Sequence, residues 1–383
     1  MEVIPNRAGR FIMDRDGIRT FVPGPIPEID RIDMGSELLS ILVDAQTNLG
    51  RLDGASDLLP DPELFVMMYV KKEAVLSSQI EGTQASLMDV LEFEADALDP
   101  DKPKDVKEVV NYIRAIYHGI DKIKAGSGLD LELIRELHLI LMEGTRGGEL
   151  RSGEFRKVQN WVGPKGCSIR DAVFVPPPPS EMMRSLISLQ EYIGTADRGP
   201  PLLRSGLIHS QFESIHPFLD GNGRMGRLLI TLYLIKEGTL KHPMLYLSHY
   251  LLRNRSGYYD RLQSLRENGD IENWLSFYLK GISEVSKESY EKSLKILELK
   301  ERGKDTLMHG LGRLAPTAIK VHEALFKKPV VTVNTISSIS GLSFQSANKL
   351  ISKLEAVGIL VEVTGQRRNR IYEFKEYMDI LNE

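Results

Sequence analysis

Apolar residues recur at three- and four-residue spacing through most of the chain, which predicts a mainly helical protein. Leu38, Leu39, Leu42, Val43 and Leu49 mark one face of a helix over 36–51. Phe65, Met68, Val70, Val75 and Leu76 mark a second, from Pro62 to about Ile80, with proline suited to its first turn. A short helix follows near 86–95. Val109, Val110, Ile113, Ile116 and Ile120 predict a helix over 105–124, and Leu133, Ile134, Leu137 and Leu141 one over 130–143. Further helices are expected at 180–192, 201–214, 224–235, 245–252 and 257–267. A long charged one runs from 270 to about 302, with Trp274, Leu275, Phe277 and Tyr278 buried early on. Two stretches break the period. Residues through Pro27, rich in Gly, Pro and Arg, read as an irregular arm. The β-like runs 153–163 and 172–175 flank a loop and end in Pro176 to Pro179, which reads as a small hairpin.

From Thr317 the pattern changes. Helices over 317–326, 333–340 and 343–357, then strands over 360–364 and 370–374, match a winged helix-turn-helix, with Gly341 at the turn and Gln366-Arg367-Arg368-Asn369 at the wing tip. The run Asp99-Pro100-Asp101-Lys102-Pro103 marks a boundary. The expected division is a helical region over 1–104, a helical core over 105–285, a helical linker over 286–316 and the winged-helix module over 317–383. The expected fold class is all-α with a small β-hairpin, plus an α+β module at the carboxyl end.

Composition narrows the partners. At 383 residues, 42% hydrophobic and 27% charged, the chain reads as an ordinary soluble protein with room for two or three domains. A net charge of -4 gives no general reason to expect nucleic acid or an anionic membrane. The single Cys167 excludes an intrachain disulfide framework and a thiolate zinc cluster, and suits a reducing compartment. No leader-like or membrane-spanning run is evident, so the cytoplasm is the expected address and a membrane is not an expected partner. The presumed recognition helix carries only Lys349 and Lys353 as cations, with Glu355 offsetting one. DNA binding is therefore a second reading of the module, beside protein recognition or dimer contact.

The chemistry gathers in His216-Pro217-Phe218-Leu219-Asp220-Gly221-Asn222-Gly223-Arg224-Met225-Gly226-Arg227. Gly221 and Gly223 let backbone N–H groups approach an anion, and the helix that follows points its positive end at the same place. Arg224 and Arg227 share one side of its first turn and can each fork onto phosphate oxygens. Asp220 is a candidate magnesium ligand. His216 is the group here whose ordinary pKa suits taking a proton from a hydroxyl. A second oddity is Ser77-Ser78-Gln79-Ile80-Glu81-Gly82: Gly82 is a natural helix cap, but Glu81 in the last turn is the wrong charge for the helix dipole.

The twelve-residue stretch resembles the signature of the Fic family of adenylyltransferases, His-x-Phe-x-Asp/Glu-Gly-Asn-Gly-Arg-x-x-Arg, with every specified position filled. The resemblance implies transfer of AMP from ATP to Ser, Thr or Tyr hydroxyls of proteins, the chain itself included. His216 would be the base and Asp220 the Mg2+ ligand. Gly221, Asn222, Gly223, Met225 and Gly226 would line the anion hole, with Arg224 near the β-phosphate and Arg227 on the γ-phosphate. Gly-Asn-Gly in place of the Ala-Asn-Lys of the kinase-like Doc branch favours nucleotidyl transfer. Residues 77–82 resemble the family's inhibitory motif, Ser/Thr-x-x-x-Glu-Gly/Asn, so Ser77 and Glu81 would oppose productive ATP binding. The hairpin would be the flap, about 158–175, on which a target strand docks. Val162 and Phe174 would lie near the nucleotide and Tyr259 at the adenine. The resemblance also implies a homodimer, and leaves open net AMP removal or another nucleotide or phosphocholine donor.

Overall fold

Helix dominates, as the spacing of apolar residues requires. The computed structural model describes residues 3–13, 16–57, 62–95, 105–145, 151–195, 199–366 and 369–383. The boundary run at Asp99 to Pro103, the wing-tip Arg367 and Arg368, and the side chain of Phe65 lie outside the described residues.

The chain opens with three antiparallel strands, β1 (Val3–Asn6), β2 (Gly9–Met13) and β3 (Arg19–Pro23), in the order β1-β2-β3. This corrects the expectation of an irregular arm through Pro27. The strands are too short to reveal a period, and what they bury comes from elsewhere. Phe11 and Phe21 face each other in register and form a small apolar cluster with Phe174. The Phe21 N–H donates to the Val175 carbonyl at 3.0 Å.

The helical body follows. Helices α1 (Ser36–Asp57), α2 (Pro62–Ile80) and α3 (Leu87–Glu94) come first. Next are α4 (Val106–Lys124), α5 (Leu131–Met142), α6 (Pro179–Gly194), α7 (Pro201–Ile215) and α8 (Asn222–Lys236). The set closes with α9 (Ser248–Arg253), α10 (Arg255–Asn268) and α11 (Ile271–Gly310). Helix α8 is buried nearly all round between α4, α5 and α7, which fixes where its amino end points. Close approach is needed there: a Cβ on Gly119 of α4 would lie 2.8 Å from Leu232 Cδ1 of α8. Helix α2 packs across α4 and α9, and α11 lies along α1. Helices α1 and α11 run past their expected ends near Arg51 and Arg302, because buried residues such as Leu52 and Leu307 continue their apolar faces.

The expected hairpin is reduced to one isolated antiparallel bridge, Val162 to Phe174, so neither 153–163 nor 172–175 forms a strand. Side chains claim the carbonyls around it. Arg156 donates to Pro177 O at 2.5 Å, Gln159 to Pro176 O at 2.8 Å and Asn160 to Phe218 O at 2.8 Å. The segment is tied to its neighbours instead of to itself.

At the carboxyl end come α12 (Ala315–Leu325), β4 (Val330–Val331), α13 (Val333–Ser340), α14 (Phe344–Ala356), β5 (Val361–Glu362), β6 (Tyr372–Glu373) and α15 (Lys375–Asn382). The strands form one antiparallel sheet in the order β4-β6-β5. Gly341, at φ 74°, caps α13 in the left-handed conformation that favours glycine. Strands β5 and β6 are shorter than expected, and β4 and α15 are additions. Among the described residues, no helix is long and apolar enough to cross a membrane.

Trp274 of α11 has no exposed surface, and its Nε1–H donates to Gly206 O at 2.9 Å. Trp274→Ala should cost about 3–5 kcal/mol of stability, read as a lowered urea midpoint; an unchanged midpoint would contradict this packing.

Candidate active site

Helix α7 ends at His216, whose backbone adopts φ 49° and ψ 61°. A side chain is uncommon in that conformation, and it turns the chain abruptly out of the helix. Arg156 holds the turn: its backbone N–H donates to Pro217 O at 2.9 Å and its Nε–H to His216 O at 3.0 Å. Asn222 then ties the loop shut, accepting from Phe218 N and donating to Phe218 O, both at 2.8 Å. The Asn222 amide is therefore committed to loop geometry, leaving only its backbone to meet an anion.

His138 of α5 supports the loop from below. Its Nδ1 accepts from the Gly153 N–H at 2.9 Å, so in the neutral ring Nε2 carries the proton and donates to Asp220 O at 3.0 Å. Burial pushes this imidazole down to about 4, which keeps that neutral tautomer. Its ring lies 3.6 Å from Phe218, almost parallel.

The turn enters α8 two residues earlier than expected, at Asn222, with Gly221 at φ 77°. Gly221 needs its left-handed conformation, and all three glycines leave space that neighbouring side-chain tips fill. A Cβ on Gly221 would lie 2.7 Å from Met142 Sδ, and one on Gly223 2.1 Å from Glu81 Oε1. One on Gly226 would lie 2.4 Å from Glu213 Oε1. Burial pushes the Glu213 carboxyl up to about 7.

Both arginines are occupied. Arg227, almost fully buried, donates through Nε to Ser77 Oγ at 2.9 Å and through its second amino group to Ser77 O at 2.8 Å and Glu81 Oε1 at 2.7 Å. Burial opposes its charge most strongly, but Glu81, Tyr258, Glu213 and Tyr259 together outweigh it, with Glu81 foremost among them, and its pKa is raised. For Glu81, burial pushes upward and the Arg227 charge downward; the net shift is down. Arg224 meets Glu108 of α4 at 3.2 Å, and Glu108 also accepts from Thr83 Oγ at 2.8 Å. The inhibitory-like segment thus reaches both guanidiniums, one directly and one through Glu108.

Asp220 is exposed, its carboxylate accepting from Gly221 N at 2.6 Å. Among the described residues no three acidic, His or Cys side chains cluster as a metal site. A divalent ion at this hard oxygen would need its remaining ligands from bound phosphates and water. His216 is half-buried, and burial together with the Arg266 and Arg156 charges pushes its imidazole down to about 4. It is uncharged at neutral pH, the form a base requires.

Other expected residues divide. Val162 is partly exposed at the bridge, beside the open side chains of Val158, Trp161 and Val173. Phe174 is buried beneath the Arg266 guanidinium, 3.8 Å from its ring. Tyr259 is exposed against buried Tyr258, which bonds His209 Nε2 at 3.0 Å. Glu108, His138, Arg156, Asn160 and Glu213 were not anticipated. Only Glu213, on the turn before His216, carried a signal in the sequence, since a carboxylate there is one helical step from the imidazole.

The chain was compared with known proteins. Residues 39–121 match the family model described as Fic/DOC family N-terminal, and residues 128–234 the one described as Fic/DOC family. A probable protein adenylyltransferase of Aquifex aeolicus is 28% identical over 210 residues, 55% of this chain and 59% of that protein. The protein adenylyltransferase Fic of Drosophila grimshawi is 30% identical over 130 residues, 33% of this chain and 24% of that protein. The chain thus spans between about a quarter and three fifths of these relatives. A Fic family protein from Desulfovibrio desulfuricans has the same fold, with TM-score 0.57 and 17% identity over 91% of this chain and 98% of that one. A Fic domain containing signaling protein from Bacteroides thetaiotaomicron has TM-score 0.51 and 20% identity, over 69% and 97%.

Proton NMR titration of the unliganded protein should place the His216 ring near 4 and leave it uncharged from pH 8 down to about 5. Because the Glu81 carboxylate raises this pKa, Glu81→Gln should lower it further. A midpoint near 6.5 would contradict the described surroundings.

Proposed function

The chain belongs to the Fic/DOC family over residues 39–121 and 128–234, and from that premise we propose that it is a protein adenylyltransferase held in check by Glu81. It transfers AMP from ATP to Ser, Thr or Tyr hydroxyls of target proteins, itself included, and works in the cytoplasm as a pair of like copies. The helical region over 1–104 regulates, 105–285 catalyses, and 286–316 links to the module over 317–383.

The observation that supports this reading best is the Glu81 carboxylate on Arg227, directly above Gly223 at the amino end of α8. That end, with its unpaired N–H groups and flanking guanidiniums, is suited to a polyphosphate. An acidic side chain lying there imitates the ligand and excludes its last phosphate from Arg227.

In the reaction, the backbone from Gly221 to Gly226 with Arg224 binds the phosphates, Arg227 holds the γ-phosphate and Tyr259 borders the adenine. Neutral His216 accepts the proton of the target hydroxyl. The oxygen bonds to the α-phosphorus while the bond from that phosphorus to the α,β-bridging oxygen breaks, and pyrophosphate leaves. A magnesium ion on Asp220 would supply charge neutralisation for the phosphates. The target's backbone lies along the bridge segment about 158–175, where Val162 and its exposed apolar neighbours accept an added strand.

Incubation with ATP and magnesium should add the mass of one AMP to the protein. His216→Ala should lower incorporation of labelled AMP by about 100-fold or more, the usual scale for a missing base. Glu81→Gly should raise it by about tenfold or more, the scale of one charge-assisted hydrogen bond. Equal rates for Glu81→Gly and the natural protein would remove the inhibition, and no AMP gain in either would remove the activity.

A further inference from the structure

Helix α2 is fastened at two places. Its end, Ser77 to Glu81, holds Arg227. One to three turns earlier, residues 69–73 meet a different set of elements. The Tyr69 hydroxyl donates to Ser289 O at 3.0 Å and lies 3.1 Å from Ser293 Oγ, both on α11. Glu73, fully enclosed, accepts from Ser248 N at 3.0 Å and Oγ at 2.5 Å, at the start of α9. Lys71 pairs with Glu94 of α3 at 2.5 Å, and α3 in turn packs against β4 of the carboxyl-terminal module. Lys72 donates to Leu381 O at 2.5 Å, in the last turn of α15.

That last contact is a helix cap. The final carbonyls of α15 have no partner within the helix, and the Lys72 amine donates to one of them, while burial and the nearby Lys292 push its pKa down to about 7. Tyr69 and Ala74 of α2 and Tyr377, Met378 and Leu381 of α15 are buried members of the large apolar cluster that runs through the molecule, in which α15 packs chiefly on α11. At a rise of about 1.5 Å per residue, Lys72 lies only about 13 Å along the helix axis from the turn that carries Glu81. A shift at Lys72 therefore reaches Glu81. The outer side of α15 is fastened weakly, by exposed ion pairs from Lys295 to Glu383 and Arg302 to Glu376.

We infer that the carboxyl-terminal module regulates the active site by seating α2. With α15 docked, Lys72 on its terminal carbonyl holds the helix in the register that puts Glu81 on Arg227. When α15 is drawn off, the helix loosens and Glu81 leaves the arginine. This rests on the reading that Glu81 inhibits, and it gives the module a role that needs no nucleic acid.

The test uses the full chain carrying Lys72→Met and, separately, the surface pair Lys295→Glu with Arg302→Glu, each with Glu81 intact and with Glu81→Gly. With Glu81 intact, labelled AMP incorporation should rise about threefold to tenfold in both variants, the scale of one lost hydrogen bond to a charged group. Amide exchange over 74–81 should quicken in the same samples. On the Glu81→Gly background neither variant should add further activity. If Glu81→Gly activates but both variants incorporate AMP at the natural rate, the module's role is overturned and inhibition by Glu81 stands. Activation of equal size on both backgrounds also overturns it, since the effect then bypasses Glu81. If Glu81→Gly itself changes nothing, the inhibitory reading fails and takes this inference with it.

Discussion

A single buried guanidinium organises this molecule. Arg227 sits in the second turn of a helix enclosed nearly all round, and a charge in such a place must be met by partners of good geometry. Here the partners are Ser77 of α2, twice, and Glu81 just past its end, once. The position of α2 and the state of the site are therefore one variable. In the proposed reaction the γ-phosphate replaces Glu81 as the anion on Arg227, so ligand and inhibitor compete for the same group.

The amino end of α8 can play that part because little else occupies it. Gly221, Gly223 and Gly226 remove the Cβ atoms that would strike Met142, Glu81 and Glu213. Asn222 and His138 hold the loop by its carbonyls, and Arg156 holds the strained turn at His216. These are fixed dipoles and charges around the first turn of α8, whose leading N–H groups have no partner within the helix, an arrangement that stabilises negative charge with little reorganisation. Burial and the Arg266 and Arg156 charges keep His216 uncharged.

The carboxyl-terminal module extends this coupling. Its last helix joins the apolar cluster that runs through α2 and the helical body, and Lys72 links the two by a direct hydrogen bond.

The sequence by itself determined what is local or periodic: most of the helices, the glycine-rich turn at 216–227, the cap at Gly82, and the misplaced charge of Glu81. Spacing and dipole arguments reach these because each rests on residues within a few turns of one another. The tertiary structure alone decided the rest. It made a sheet of the first strands by supplying Phe174 and the Val175 carbonyl, and it reduced the expected hairpin to one bridge by giving its carbonyls to Arg156 and Gln159. It likewise turned Phe174 into core, set Glu108 on Arg224, and seated α2 against α15. Each depends on partners far apart along the chain, and no local pattern encodes which distant carbonyl or carboxylate will satisfy a buried donor.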